Sequence, residues 1–228
     1  MCLAWLRSSI GKKAVMGLTG LILLGFFIMH LAGNLLVYLG PEALNAYAKK
    51  LRDMGPLLWV ARATLLAAVL VHAWLAIVLT RENRAARPIR CAVSRAAHTT
   101  AAARTMMVSG LLLTAFIVYH LLHFTFRITH PEIAHRVDAL GRHDVFAMVV
   151  FSFQDPVLVL AYVVAMALLC LHLSHGVASW CQSLGLNNER ALPLLERLGR
   201  LIAWAIFLGY SSIPVSIYMG LVTARGPS

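Results

Sequence analysis

Four histidines stand in runs that are otherwise apolar. They are His30 within Phe27–Asn34, His72 after Val71, His120 after Tyr119, and His172 between Leu171 and Leu173. An ionisable side chain inside a membrane span is costly, and usually has a partner and a function. Imidazole at such depth relays protons or ligates a metal through a neutral ring nitrogen. One histidine on each of four successive runs points to ligation. Two imidazoles on facing helices are what the iron of a b-type haem needs at its two axial positions. A proton-coupled carrier would set histidine against intramembrane Asp or Glu, and no run carries an acid near its centre. The expectation is two haem sites.

The elements that must position these rings cross a bilayer. Five apolar runs cover about residues 14–39, 57–80, 106–126, 156–181 and 201–222, each meeting the roughly 20 residues a spanning helix needs. The 228-residue chain is 60% hydrophobic and 13% charged, with a mean hydropathy of +0.77. Soluble domains run near half apolar and a quarter charged. Lipid offers the backbone no partners, so spans are helices or a closed barrel. Unbroken apolar runs without alternation are helices. The expectation is an all-α membrane protein, one domain over residues 1–228, with five transmembrane helices forming a haem-binding bundle.

The net charge of +11 invites a nucleic-acid partner, but its distribution argues against one. With the first span starting inside, inner segments hold twelve Lys and Arg against three Asp and Glu, and outer segments eight against six. That is the positive-inside bias, which predicts a cytoplasmic N-terminus and a C-terminus outside. The inner loop 81–104 is the most basic stretch and suits anionic lipid or an acidic partner subunit. The four cysteines show neither paired spacing nor CxxCH. Cys170 and Cys181 would lie about 16 Å apart along one helix, too far to bridge. The start, through Lys13, lacks the pattern of a removable signal; its Leu3, Trp5 and Leu6 suit an interfacial segment.

Depth sorts the histidines. His30 and His120 fall about three to four residues past their span midpoints toward the outer face. His72 and His172, on spans of opposite direction, fall about three residues toward the inner face. At 1.5 Å per residue these are two layers roughly 10 Å apart, each with two histidines from two helices. On span four His172 and His175 compete, His172 being the deeper. Gly17, Gly20, Gly25 and Gly33 lie along the first span at helical spacing and admit either a neighbouring helix or a flat macrocycle. Asn34, one turn beyond His30, is placed to hydrogen-bond toward a ligand. Leu44, Tyr47 and Leu51 give the outer loop an amphipathic helix. Arg62 reads as an interfacial anchor. His123 lies on nearly the same face as His120 but nearer water, and His130, His135 and His143 read as solvated loop residues. Pro214 interrupts the last span, with Ser211, Ser212 and Ser216 available to the freed carbonyls.

Several stretches together carry a resemblance that covers essentially the whole chain. They are His30-Leu-Ala-Gly-Asn34, Gly40-Pro-Glu-Ala-Leu-Asn45-Ala-Tyr47, His72, Gly110 with Tyr119-His120, and His172-Leu-Ser-His-Gly176 followed by Ser179, Gln182 and Gly185. They resemble the cytochrome b membrane anchor of succinate dehydrogenases and quinol:fumarate reductases, in its five-helix, di-haem, single-anchor form. The resemblance implies that His30 and His120 hold the distal haem iron and His72 and His172 the proximal one. It prefers His172 to His175, because the family glycine follows the ligand by four residues. It implies a cytoplasmic flavoprotein subunit with FAD, an iron–sulfur subunit with its clusters, menaquinone or menaquinol as bound substrate, and the bacterial cytoplasmic membrane, with dimerisation of the whole complex a family expectation. Such a chain carries electrons between menaquinone near the outer face and the cytoplasmic subunits. Arg104, Ser109, Gln182 and His175 become candidates for the proximal haem surroundings. Asn34, Arg52, Asp53, His123 and Arg127 become outer-side candidates for the quinone.

Two departures stand out. Cys170 occupies the place where some members carry a glutamate two residues before the fourth-helix histidine. Arg52, beside Asp53, occupies the place of a glutamate that some use in quinol oxidation. The alternatives are the cytochrome b subunit of a membrane hydrogenase or formate dehydrogenase, and a transporter whose histidines relay protons or bind metal.

Overall fold

A computed structural model describes residues 8–86, 101–131, 133–183 and 191–224. Ser8 opens helix α1 (Ser9–Asn34): its Oγ accepts from the Gly11 amide at 3.0 Å. This N-cap satisfies one of the orphan donors of a helix start. The helix ends where the Asn34 side-chain amide donates back to the His30 carbonyl at 2.7 Å, and the chain tightens into a 3-10 turn over Leu35–Leu39. Gly40, at φ +91°, takes a backbone conformation that disfavours side chains. Pro41 then starts α2 (Pro41–Asp53), with its fixed φ and missing amide suited to the first helical position. Glu42 in the first turn and Lys50 and Arg52 in the last complement the helix dipole.

Helix α3 covers Pro56–Ala85, and α4 covers Ala101–His120 and runs on into a π turn over Leu121–Thr125. Helix α5 (Val145–Ser152) is capped by Asp144, which accepts from the Ala147 amide at 3.0 Å. Helices α6 (Pro156–Ser183) and α7 (Ala191–Tyr218) complete the order. The described residues contain no strand, only an isolated bridge between Val137 and His143. Among the described residues five segments are long and apolar enough to cross a membrane: α1 with its 3-10 turn, and α3, α4, α6 and α7. Large apolar side chains such as Leu70, Leu111 and Leu208 are at least half exposed on them, as lipid-facing residues are.

Three differences from the sequence reading have physical causes. Helix α7 begins ten residues before the expected apolar run, at Ala191 rather than 201. Its first turns mix four leucines with Glu196, Arg197 and Arg200. The Glu196–Arg200 pair, one turn apart, favours helix while the charges lower the hydropathy there. The expected outer loop contains α5, six of whose eight residues are buried. An eight-residue helix is too short to register as a span. The third concerns His130 and His143, half-buried where solvated residues were expected, because His130 packs against His123 and Phe151 and His143 is tied to Arg127 and the Arg136 carbonyl; His135 is exposed.

Contacts divide the chain into two compact units. The first comprises Met1–Gly25, Thr64–Thr114 and Leu168–Trp204. Its interior is built from Ala68, Leu75, Leu79, Leu113, Leu169, Leu173 and Ala203. The Trp180 indole lies over Gly17, where an added Cβ would come within 2.5 Å of it. Lys12 pairs with Glu82.

The second unit comprises Phe26–Ala63, Ala115–Ala167 and Ala205–Ser228. Val37, Leu44, Phe146, Val149, Val150, Phe153, Tyr162, Ile213 and Ile217 form its core. The Tyr47 ring sits on Gly33, 2.6 Å from where a Cβ would be. Asn45, fully buried, joins α2 to the loop before α5. Its Oδ1 accepts from the Phe146 amide at 3.0 Å, and its Nδ2 donates to Asp144 at 3.0 Å and Asp138 at 3.3 Å. Arg142 donates to Glu42 at 2.7 and 2.8 Å and to Asp138 at 2.7 Å. The Arg142 hydrogen bond holds the Glu42 carboxyl below its ordinary range. For Asp138, burial acts upward, but hydrogen bonds from Arg142 and Leu140 outweigh it and the carboxyl titrates low.

At Pro214 the serines divide their work: Ser212 Oγ donates to the Gly209 carbonyl at 2.8 Å and Ser216 Oγ to Ile213 at 3.0 Å. Tyr38 donates to Ser212 at 2.9 Å, while the buried Ser211 Oγ has no partner among the described residues.

Candidate functional site: two pairs of facing imidazoles

In the first unit the rings of His72 (α3) and His172 (α6) stand 6.4 Å apart, centre to centre, with planes at 61°. His72 Nδ1 lies 3.1 Å from the Met16 carbonyl oxygen and 3.2 Å from Thr19 Oγ1. A carbonyl only accepts, so Nδ1 carries the ring proton and Nε2 keeps its lone pair. The Thr19 hydroxyl donates to the carbonyls of Met16 and Val15, at 2.9 and 3.0 Å, and accepts from the ring. His172 repeats the pattern. Its Nδ1 lies 3.3 Å from Ser109 Oγ, which donates its own proton to the Met106 carbonyl at 3.1 Å. Gly20 and Gly110 give the rings room: a Cβ would stand 3.2 Å from His72 Cε1 and 3.3 Å from His172 Cε1.

In the second unit His30 (α1) and His120 (α4) stand 6.0 Å apart with planes at 86°. His30 stacks on Phe26 at 5.1 Å, and the Tyr210 ring lies 6.1 Å away, its hydroxyl donating to the Phe27 carbonyl at 2.8 Å. His120 Nδ1 lies 3.3 Å from the Tyr162 hydroxyl. The same hydroxyl is 2.9 Å from His123 Nδ1, and His123 Nε2 is 3.0 Å from Ser152 Oγ. Ser152 donates to the Met148 carbonyl at 2.8 Å.

These spacings test whether the residues suit a haem. A metal–imidazole bond of about 2.0–2.1 Å, plus ~1.1 Å from ring nitrogen to ring centre, puts two rings trans to one metal about 6.2–6.4 Å apart. The observed 6.4 Å falls in that range, and the observed 6.0 Å lies 0.2 Å short of its lower end. Three of the four rings also hold Nδ1 against an oxygen, the outer-shell support that orients ligating histidines. Among the described residues no group of three or more His, Cys, Asp and Glu converges to hold a metal. A haem asks for two protein ligands, because the macrocycle fills the other positions.

The remaining sequence candidates fall in several places. The side chains of Arg104 and Gln182 lie outside the described residues. Ser109 is buried against His172 Nδ1, and His175 is half-buried one turn further along α6. Asn34 commits its amide to the His30 carbonyl. Arg52 and Asp53 are exposed on α2, where Asp53 pairs with Lys49 at 2.6 Å. His123, expected nearer water, is 2% exposed because the π turn swings it inward between Tyr162 and Ser152. Arg127 holds φ +57°, donates to the Ala134 carbonyl at 2.9 Å and contacts His143 Nε2. His143 Nδ1 donates to the Arg136 carbonyl at 3.2 Å. Burial, then the charges of Arg127 and Arg52, push the His143 pKa below its ordinary value.

Sequence reasoning passed over Thr19, Tyr162, Ser152 and Tyr210. Their signal was available: each is a hydroxyl inside or beside an apolar run, where a polar group needs a partner. No family model, no curated protein and no solved structure matches this chain.

Proposed function

We propose that this chain is the di-haem b membrane anchor of a succinate:quinone or quinol:fumarate oxidoreductase. In this reading His30 with His120, and His72 with His172, each hold one haem iron through Nε2. The observation that carries it is the approach of two imidazoles from different helices to 6.0 and 6.4 Å, twice over, with Nδ1 of three of the four rings against an oxygen. Haem bound there would supply one-electron redox chemistry inside the membrane.

The protein's own part is to hold the rings. Met16, Thr19 and Ser109 keep the proton on Nδ1 of His72 and His172. Gly20 and Gly110 let those rings lie close against α1 and α4. Phe26 and Phe116 face the His30 and His120 rings and limit water beside them. The flavoprotein and iron–sulfur partners, menaquinone as substrate, the cytoplasmic N-terminus and the bacterial inner membrane belong to the proposal. They are supported by the resemblance and by the bias of positive charge.

The test is a pyridine haemochrome spectrum of the purified full-length chain, expressed with the proteins that co-purify with it and normalised to protein. Two haem b per chain and a co-purifying flavoprotein are expected. One haem would mean that one pair is not a ligand pair. No haem in a folded sample would overturn the reading in favour of a carrier.

A further inference from the structure

From the geometry around His120 we infer that Tyr162 is the positioning residue that fixes this ring for ligation, and that His123 and Ser152 fix Tyr162 in turn. The inference rests on the di-haem reading and adds residues to it that no ligand motif contains.

The protons can be placed one by one. His120 can offer Nε2 to a metal only if Nδ1 keeps its hydrogen, which then points at the Tyr162 oxygen 3.3 Å away. A phenol oxygen that accepts there has its own hydrogen to spend elsewhere, and His123 Nδ1 lies 2.9 Å off. A neutral His123 that accepts at Nδ1 carries its hydrogen on Nε2, which faces Ser152 Oγ at 3.0 Å. Ser152 must then accept, and its hydrogen goes to the Met148 carbonyl at 2.8 Å. That carbonyl cannot donate, so it anchors the direction of the whole chain. Reversing the links beyond Tyr162 would release the phenol hydrogen to point at His120 Nδ1, and a His120 that accepts there carries its own hydrogen on Nε2.

The Tyr162 ring cannot swing away from this duty. It is 7% exposed and meets Phe116 and Phe153 at 5.0 Å, Phe124 at 5.9 Å and Tyr119 at 6.4 Å. The π turn supplies the other condition, placing His123 on the same phenol as His120. Among the described residues the other pair has no counterpart: His72 and His172 lean on aliphatic hydroxyls and a backbone carbonyl. A phenol shared with a second imidazole therefore distinguishes one site from the other. An oxygen that accepts from Nδ1 makes the ring a stronger electron-pair donor, so Tyr162 would favour the ferric state of a haem held there.

The experiment compares wild type, Tyr162→Phe and His123→Gln as full-length protein in membranes. Haem content is read by haemochrome, each haem's midpoint potential by optical redox titration, and the low-spin ferric signals by electron paramagnetic resonance. Tyr162→Phe keeps the ring packing and removes only the oxygen. Both haems are expected to stay, one midpoint is expected to rise with a changed ferric signal, and the other haem should not move. His123→Gln is expected to shift the same haem in the same direction by less, and it reads the same chain if the phenylalanine variant fails to fold. Two haems with unchanged potentials and signals in both variants would overturn the inference and leave the di-haem reading standing. A wild-type protein without haem would overturn both.

Discussion

Asn45 is the residue on which the packing of α2 against α5 can be tested most sharply. Its side chain is fully buried and makes three hydrogen bonds, to the Phe146 amide, Asp144 and Asp138. Asn45→Ala strands the amide of Phe146, which is 4% exposed, and removes one charge-assisted bond from Asp144. An unsatisfied buried donor costs about 1–3 kcal/mol and a hydrogen bond to a charged group contributes about 1.5–3 kcal/mol. Water entering the polar gap returns part of this, so a loss of about 2–4 kcal/mol is expected. For a chain of this size that lowers Tm by roughly 4–16 °C. The assay is thermal unfolding of the detergent-solubilised protein followed by tryptophan fluorescence.

Asn45→Asp gives the second arm. It keeps an acceptor for Phe146 but sets a third carboxylate beside Asp138 and Asp144. Like charges raise the new group's folded pKa above its unfolded value of about 3.9. The folded state then binds more protons than the unfolded one, so stability falls as pH rises through that window. The variant is therefore expected to be less stable at pH 8 than at pH 5, relative to wild type. A Tm for Asn45→Ala within about 1 °C of wild type, when at least ~4 °C is expected, would refute the reasoning. So would a pH-independent Asn45→Asp.

Two further outcomes are expected. On the di-haem proposal, His172→Ala should remove one of two haems and His175→Ala should leave both, as read by haemochrome; the reverse would move the proposed ligand one turn along α6. His143 is held neutral, with a pKa below its ordinary value from burial and then the Arg127 charge. The unfolded chain binds the proton first as pH falls below about 6.5, so the stability that His143 contributes drops from there toward its folded pKa. The Tm gap between wild type and His143→Asn should narrow between pH 7.5 and pH 5.5, and a constant gap would rule out the neutral acceptor.

Much of the fold is written in hydropathy alone. Apolar runs find the five long helices, because a membrane demands about the same thing of each. Counting residues from span midpoints is enough to put His30 beside His120 and His72 beside His172. The unreadable parts share a cause: they depend on partners distant in sequence. Asn45 looks like a polar residue on a surface helix until Phe146, about a hundred residues away, turns its amide toward it. His123 looks water-facing because a regular helix is assumed, and the π turn changes its direction. The Tyr162 hydroxyl, a polar group in an apolar run, signals locally only that it needs a partner; which partner comes from two histidines on another helix.

The π turn over Leu121–Thr125 has a consequence for how this chain can change. A π turn is an α-helix with one residue too many, and such bulges recur at functional sites. Length changes are ordinarily absorbed by loops. Here a length change is stored inside a span. Deleting one residue would restore a regular helix, advance everything beyond it by about 100°, and carry His123 off Tyr162 and Arg127 off the Ala134 carbonyl together. The segment from His120 to Arg127 is therefore fixed in count as well as in kind. Substitutions can drift through its lipid-facing positions, such as Leu122 and Phe126, while insertions and deletions cannot.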